Sequence, residues 1–131
     1  MHSRFISDNI SSSGSRLLFA GQDTVRLAEK YGTPLYLMDE AKIREQCRTY
    51  QSAMHAVFGS RYRVAYASKA AAFVHMARIM KEENMSLDTV SVGEIATAQK
   101  AGFPSERIYF HSNNKTDDDI LYGLRSKVGY W

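Results

Sequence analysis

The chain has 131 residues, 44% of them hydrophobic and 24% charged, which is enough for one modest domain with a core of its own. Eight glycines, two prolines and 11% aromatic residues exclude general disorder, and a net charge of +3 without any basic run gives no nucleic-acid footprint. Cys47 stands alone, so there is no internal disulfide and no cysteine-rich zinc site; a reducing cytoplasm is the simplest compartment, and no 18-residue apolar run is present to cross a membrane.

In chain order, "MHSRFISDNISSSGS" is polar and has no apolar stretch of signal-peptide length, and "DNISSSGSR" reads as a loop or loosely held terminus. "QDTVRLAEKYG" is expected to be a short helix, with Asp23 or Thr24 as cap and Gly32 as stop. "TPLYLMD" reads as a brief strand, because Thr33-Pro34 bars helix. Asp39 then caps a longer helix, "DEAKIREQCRTYQSAM", whose Ile43, Cys47, Tyr50 and Met54 fall on one helical stripe. "FGSR" breaks it.

A periodic region follows. "RVAYAS", "MSLDTVS" and "RIYFHS" start at residues 63, 85 and 107, 22 residues apart, and each reads as a strand. The stretches after them, "AAFVHMARIMKEEN", "GEIATAQKAG" and "TDDDILYGLRSK", read as helices. Phe73, Met76, Ala77 and Met80 make an apolar stripe, Gly102 and Pro104 end the second helix, and Asp117, Asp118 and Asp119 suit a first helical turn. Parallel strands need helical crossovers, so the fold class is α/β with a parallel sheet. One more step of the period reaches Gly129-Tyr130-Trp131, where a fourth strand is expected to begin. The region therefore reads as a partial (β/α)8 barrel holding roughly three of eight units, since such barrels take about 250 residues. A complete flavodoxin-type domain is the alternative, and it would offer five strands in this length.

In such a barrel, function gathers at the C-terminal ends of the strands. Those ends carry Ala67 and Lys69, then Asp88, Ser91 and Glu94, then His111, Asn113, Asn114 and Lys115. A lysine just past a strand is most often a solvated loop charge. Its neighbours Ala67, Ala70, Ala71 and Ala72 favour a second reading, in which small apolar residues leave room for a planar ligand and desolvate an amine that attacks carbonyls. Asp88, inside the apolar "LDTV", needs a cation and could find it in Lys69 one strand away, or could be a cap. His111, Asn113 and Asn114 are equally compatible with loop and capping roles, and "SVGE" with a plain helix start. His2, His55 and His75 read as surface or terminal residues without metal spacing.

"VAYASKA", "SLDTVSVGE", "AQKAGFPSERIYFHSNNK" and "YGTPLYLMDE" together resemble the N-terminal part of the diaminopimelate decarboxylase family, which are pyridoxal-phosphate enzymes of the fold-type III, alanine-racemase-like class. The lysine motif marks only the class, shared with ornithine and arginine decarboxylases, and the resemblance runs from about Thr24 to Lys127. It implies that Lys69 holds pyridoxal 5′-phosphate as a Schiff base, that Ala67 lies against the cofactor, that Asp88 sits near the lysine, and that His111 and Asn113 lie at the rim of the cofactor site. It further implies that residues 1–38 belong to a second, β-rich domain and residues 39–131 to the barrel. The implied substrate is an amino acid, meso-diaminopimelate, giving L-lysine and carbon dioxide; the implied parent is a homodimer with neither nucleic-acid nor membrane partners.

Two departures stand out: Val92 replaces the first glycine of the family's frequent "VSGGE", and Ala70 to Phe73 replace an asparagine-containing stretch. The family's phosphate loops, ring-stacking residue and substrate groups would lie beyond Trp131, so the 131-residue piece is expected to be inactive alone. The alternatives are another decarboxylase or racemase of the class, or an inactive fragment.

Overall fold

The computed structural model describes residues 7–131. The expectation for His2 lies outside the described residues. The chain divides into two compact units, one ending at Glu45 and one starting at Gln46, and the boundary falls inside a single helix.

In the first unit, β1 (Ile10–Ser13), β2 (Arg16–Phe19) and β3 (Gln22–Asp23) form an antiparallel sheet in that order. "ISSSGSR" is therefore a hairpin, not the loop its composition suggests. Gly14, at φ 61°, occupies the turn between Ser13 and Arg16, where a two-residue hairpin needs a residue free to adopt positive φ. The serines are exposed, so they need pack nothing. Helix α1 (Thr24–Tyr31) starts as expected at Asp23, whose carboxylate accepts from the N–H groups of Val25 and Arg26, and stops at Gly32 at φ 84°. The Arg26 N–H and the Arg16 guanidinium, 2.6 Å away, hold the Asp23 carboxyl below its ordinary range.

Residues 33 and 34 form a bend and residues 35–39 belong to no regular element, with Leu35 and Leu37 half-buried and Tyr36 and Met38 exposed. The expected strand is thus absent among the described residues: the side chains alternate in burial, but the segment joins no ladder. Asp39 begins α2 (Glu40–Phe58), accepting from the Lys42 N–H at 3.2 Å and from the Asn9 amide at 3.1 Å.

In the second unit, α2 turns Cys47 inward to within 3.9 Å of the Met80 sulfur. Tyr50, expected on the buried stripe, is 61% exposed. The inward position is Gln51, whose amide donates to the Glu83 carbonyl and lies 3.6 Å from the Met85 sulfur. The polar side chain is there because the end of the next helix offers a free carbonyl, which hydrophobic spacing cannot reveal. Arg48 grips the Glu83 carboxylate with two hydrogen bonds of 2.8 Å.

The parallel sheet is β4 (Ala65–Ala67), β5 (Ser86–Thr89) and β6 (Ile108–Phe110), in that order. Helices α3 (Val74–Glu82), α4 (Val92–Lys100) and α5 (Asp117–Arg125) follow the strands in turn. Phe73, placed on the first stripe, is extended and exposed just before α3, while Met76, Ala77, Ile79 and Met80 are buried. Ile95 and Ile108, both 0% exposed, mark the centre of the core, with Leu87, Phe103 and Phe110 around them. The three aspartates lie in the first turn of α5 as expected, and the sequence reading missed a capping box there: the Thr116 hydroxyl accepts from the Asp119 N–H, and the Asp119 carboxylate accepts from the Thr116 N–H.

The 22-residue spacing of the strand starts is a register of 21 in the sheet. Ala65 pairs with Ser86, Leu87 with Ile108, and Tyr109 forms a parallel bridge with Tyr130. The fourth pairing expected near residue 129 is there: the Phe110 N–H donates to the Tyr130 carbonyl at 2.9 Å and the Tyr130 N–H to Ile108 at 3.1 Å.

The three helices stop by one device. Asn84, Gly102 and Lys127 have φ of 56°, 69° and 55°, and the residues after them, Met85, Phe103 and Val128, donate back to Met80, Ala98 and Gly123 while burying their own side chains. Only Lys127 is ill-suited to this conformation. A branched-from-backbone side chain costs about 1–2 kcal/mol there, and glycine's extra freedom in the unfolded chain returns only part of that. Lys127→Gly is expected to stabilise the fold by about 0.5 kcal/mol, read as a raised urea midpoint at unchanged m-value, and Asn84→Gly to change it less.

Candidate functional site

Pleating sends alternate strand residues to opposite faces. Tyr66, Leu87, Thr89, Ile108 and Phe110 face the helices: Tyr66 and Leu87 meet Met76, Ala77 and Ala98, and Phe110 meets α5 at Gly123. Ala67, Asp88, Tyr109 and Tyr130 are successive register partners and share the other face. The Tyr109 and Tyr130 rings stack there, 4.2 Å apart and 8° from parallel. Sequence reasoning missed Tyr109; a repeat of 21 counted from Ala67 would have found it.

Lys69 follows at the end of β4, on a single 3₁₀ turn (Ser68–Ala70) pinned by the buried Ser68, whose carbonyl accepts from the Ala71 N–H at 3.1 Å. The turn aims a lysine off the C-terminal edge of the sheet, where the register also brings Asp88 and, at the end of β6, His111. The Lys69 side chain is exposed, and no described residue pairs with its ammonium. The desolvation expected from its alanine neighbours is therefore not supplied by the described residues. The room expected beside them is also absent on the helix side, where Tyr66, Ala71, Ala72, Phe73 and Met76 leave a hollow of only about 10 Å³. Burial there raises the Tyr66 phenol above its ordinary value, while its hydroxyl donates to the Ala71 carbonyl at 3.4 Å. The open side is the sheet face bearing Ala67 and Asp88.

Asp88 is half-buried. Its Oδ1 is fully buried and has no hydrogen-bond partner, and the His111 Nδ1 stands 3.9 Å from it. His111 itself is placed by its backbone N–H, which donates to the Thr89 carbonyl at 2.8 Å and continues the ladder past β6. Asn113 is exposed in the loop beyond, and Asn114 is held by the Ser112 hydroxyl. Lys115 turns back to donate to the Ser112 carbonyl at 3.1 Å and lies over the Phe110 ring, so it is committed to the loop. Ser91 caps α4 and the Glu94 carboxylate accepts from the Val90 N–H at 2.8 Å, so both act as helix-start residues. Val92 opens α4 without positive φ, which is why the loss of a glycine is tolerated there. Among the described residues no cluster of metal ligands exists, and no helix is long and apolar enough to cross a membrane. A cleft of about 520 Å³ opens at the opposite, N-terminal ends of the strands, lined by residues including His55, Arg63, Glu106 and Arg107.

Residues 40–131 match the family model described as the pyridoxal-binding domain of pyridoxal-dependent decarboxylases. The chain is 48% identical over 113 residues to diaminopimelate decarboxylase of Bacillus subtilis, covering 86% of this chain and 26% of that protein. It is 46% identical over 112 residues to the enzyme of the same name from Methanothermobacter thermautotrophicus, again covering 86% of this chain and 26% of the relative. The crystal structure of diaminopimelate decarboxylase from M. jannaschii in co-complex with L-lysine superposes with a TM-score of 0.80 at 33% identity, over 93% of this chain and 29% of that one. The chain thus spans about a quarter of the length of the curated relatives it matches. Matched from residue 40 to its last residue by the family model, the chain belongs to the pyridoxal-dependent decarboxylases.

Proposed function

We propose that this chain forms the opening strand–helix units of a (β/α)8 barrel that binds pyridoxal 5′-phosphate through Lys69, and that the protein containing it converts meso-2,6-diaminopimelate to L-lysine and carbon dioxide. One observation carries the site: the parallel register sets Ala67 beside Asp88, so that the Lys69 turn and the Asp88 carboxylate share one rim. The identity of 40–48% to diaminopimelate decarboxylases supports the choice of substrate within the family.

The residues fit the cofactor. An aldehyde needs a primary amine that is not tied up in an ion pair, and Lys69 offers one. A cationic nitrogen at that amine needs an anion nearby, and Asp88 offers a carboxylate with an unsatisfied oxygen. Ala67, in register with Asp88, leaves the sheet face flat where a planar ring would lie. When bound, the cofactor supplies the sink for the electron pair left as carbon dioxide departs. The chain's own part would be to hold and position: Lys69 would anchor the cofactor and, as a free amine, would be placed to carry a proton at the same rim. Asp88 keeps positive charge at that atom, and His111 and Asn113 border the same rim. Residues 1–38 belong, in this reading, to a second β-rich domain, consistent with the antiparallel β1–β3 sheet, and two subunits assemble as a homodimer in the cytoplasm.

Carbon dioxide release by the full-length protein tests the substrate. Release from meso-diaminopimelate at least about 100-fold faster, as kcat/KM, than from ornithine or arginine is expected, a difference of about 2.7 kcal/mol. Preference for ornithine would move the protein to another branch of the family.

A further inference from the structure

Asp88 Oδ1 is one of only two buried side-chain polar atoms among the described residues that lack a hydrogen-bond partner. An orphaned buried acceptor is costly, so a donor within reach is strongly drawn to it. That donor is the His111 Nδ1, at 3.9 Å. Its backbone is fixed by the bond to Thr89, but its side chain is 74% exposed, so little packing opposes a movement of about 1 Å to hydrogen-bond distance.

We propose that His111 is a positioning residue: its Nδ1–H donates to Asp88 Oδ1, which locks the carboxylate and leaves the other oxygen for the Lys69 amine. His111 then acts on Lys69 through Asp88 and needs no contact with cofactor or substrate. The proposal rests on the reading of Lys69 given above, and it explains why the imidazole sits where a loop would accept any polar residue. A carboxylate bound by one oxygen stops rotating, and the order it gains is passed to the amine it faces.

Two measurements test it, the first on the 131-residue chain and the second on the full-length protein. In the first, ¹⁵N NMR of the imidazoles reads the tautomer of neutral His111. The Nδ1–H form is expected in the wild type and its replacement by Nε2–H in Asp88→Ala. Nε2–H in the wild type overturns the proposal and leaves the reading of Lys69 intact. In the second, the full-length protein is stripped of cofactor and mixed with pyridoxal phosphate, the adduct is fixed with borohydride, and the Lys69 peptide is quantified by mass spectrometry. His111→Ala is expected to lower the Lys69-labelled fraction about tenfold or more, the size of one hydrogen bond to a charged partner, without a change in Tm. His111→Asn, whose amide stands where Nδ1 stood, is expected to restore it, and His111→Gln, whose amide reaches the Nε2 position, is not. Labelling unchanged in His111→Ala overturns the proposal. Absence of Lys69 labelling in the wild type overturns the underlying reading instead, and the tautomer then still reports on the pair.

Discussion

Gly129→Ala is expected to be the most destabilising single-methyl change in the second unit, with a loss of about 2–3 kcal/mol. A methyl at this position would lie 2.2 Å from the Glu106 carbonyl oxygen and 2.7 Å from its carbon. Both are backbone atoms in the 3₁₀ turn that opens β6, so no side chain can turn aside. The Gly129 N–H also donates to the Ser105 carbonyl at 3.0 Å, which holds the two segments together at the place where they must separate. The relief available is to pull residues 129 and 130 off the sheet, which breaks the Tyr109–Tyr130 bridge and the ring stack above it. Thermal unfolding should show a fall of roughly 5–15 °C in Tm, with loss of the tyrosine near-ultraviolet signal. Gly123→Ala makes the control. Its methyl would meet the Trp131 ring at 2.6 Å, which is 54% exposed and can swing away, and the buried Phe110 ring at 3.2 Å, which must give by a few tenths of an ångström, while alanine gains about 1 kcal/mol of helix propensity in α5. Gly123→Ala should therefore be near neutral, and equal losses at the two glycines would refute the close-approach account.

What could be read in the sequence divides along a physical line. Caps and stops are local, and Asp23, Gly32, Gly102 and Thr116 act where their residue types place them. The strand period was legible because each strand–helix unit has to cross the same sheet at the same pitch, which is how Tyr130 could be anticipated as the next partner in line. What failed depended on partners distant in the chain. Gln51 faces inward because the Glu83 carbonyl is there to receive it, and Tyr50 faces out although hydrophobic spacing favours it. The serines of β1 gain strand structure from β2, not from their own propensity, and residues 33–39 lack a ladder although theirs is higher. At the site, the order of Lys69, Asp88 and His111 along one rim followed from strand ends alone. Two features did not: the exposure of Lys69, which depends on what packs above it, and the unsatisfied Asp88 oxygen, which is a property of three dimensions.

Lys69→Arg is expected to abolish activity of the full-length protein as completely as Lys69→Ala, a fall on the order of a thousandfold or more, or about 4 kcal/mol. The comparison separates two roles that a lysine beside an aspartate can play. If Lys69 served only to neutralise Asp88, arginine would serve nearly as well, since it keeps the charge and makes stronger bonds to a carboxylate. A guanidinium stays protonated and delocalised at any working pH, so it cannot displace water from an aldehyde and carry the cofactor. Arginine should thus preserve the positive charge and the melting temperature while eliminating covalent attachment, seen as loss of the visible absorbance band and of the borohydride-fixed Lys69 peptide. Alanine should lose both, and because the Lys69 side chain is exposed and pairs with no described residue, its Tm should stay close to that of the arginine variant. Lys115 is the internal control, because it is tied to the Ser112 carbonyl and the Phe110 ring, and Lys115→Ala should leave the band in place. Substantial turnover by Lys69→Arg, or an adduct that persists on another lysine when residue 69 is changed, would remove Lys69 from the chemistry and return it to the surface charge that strand ends most often carry.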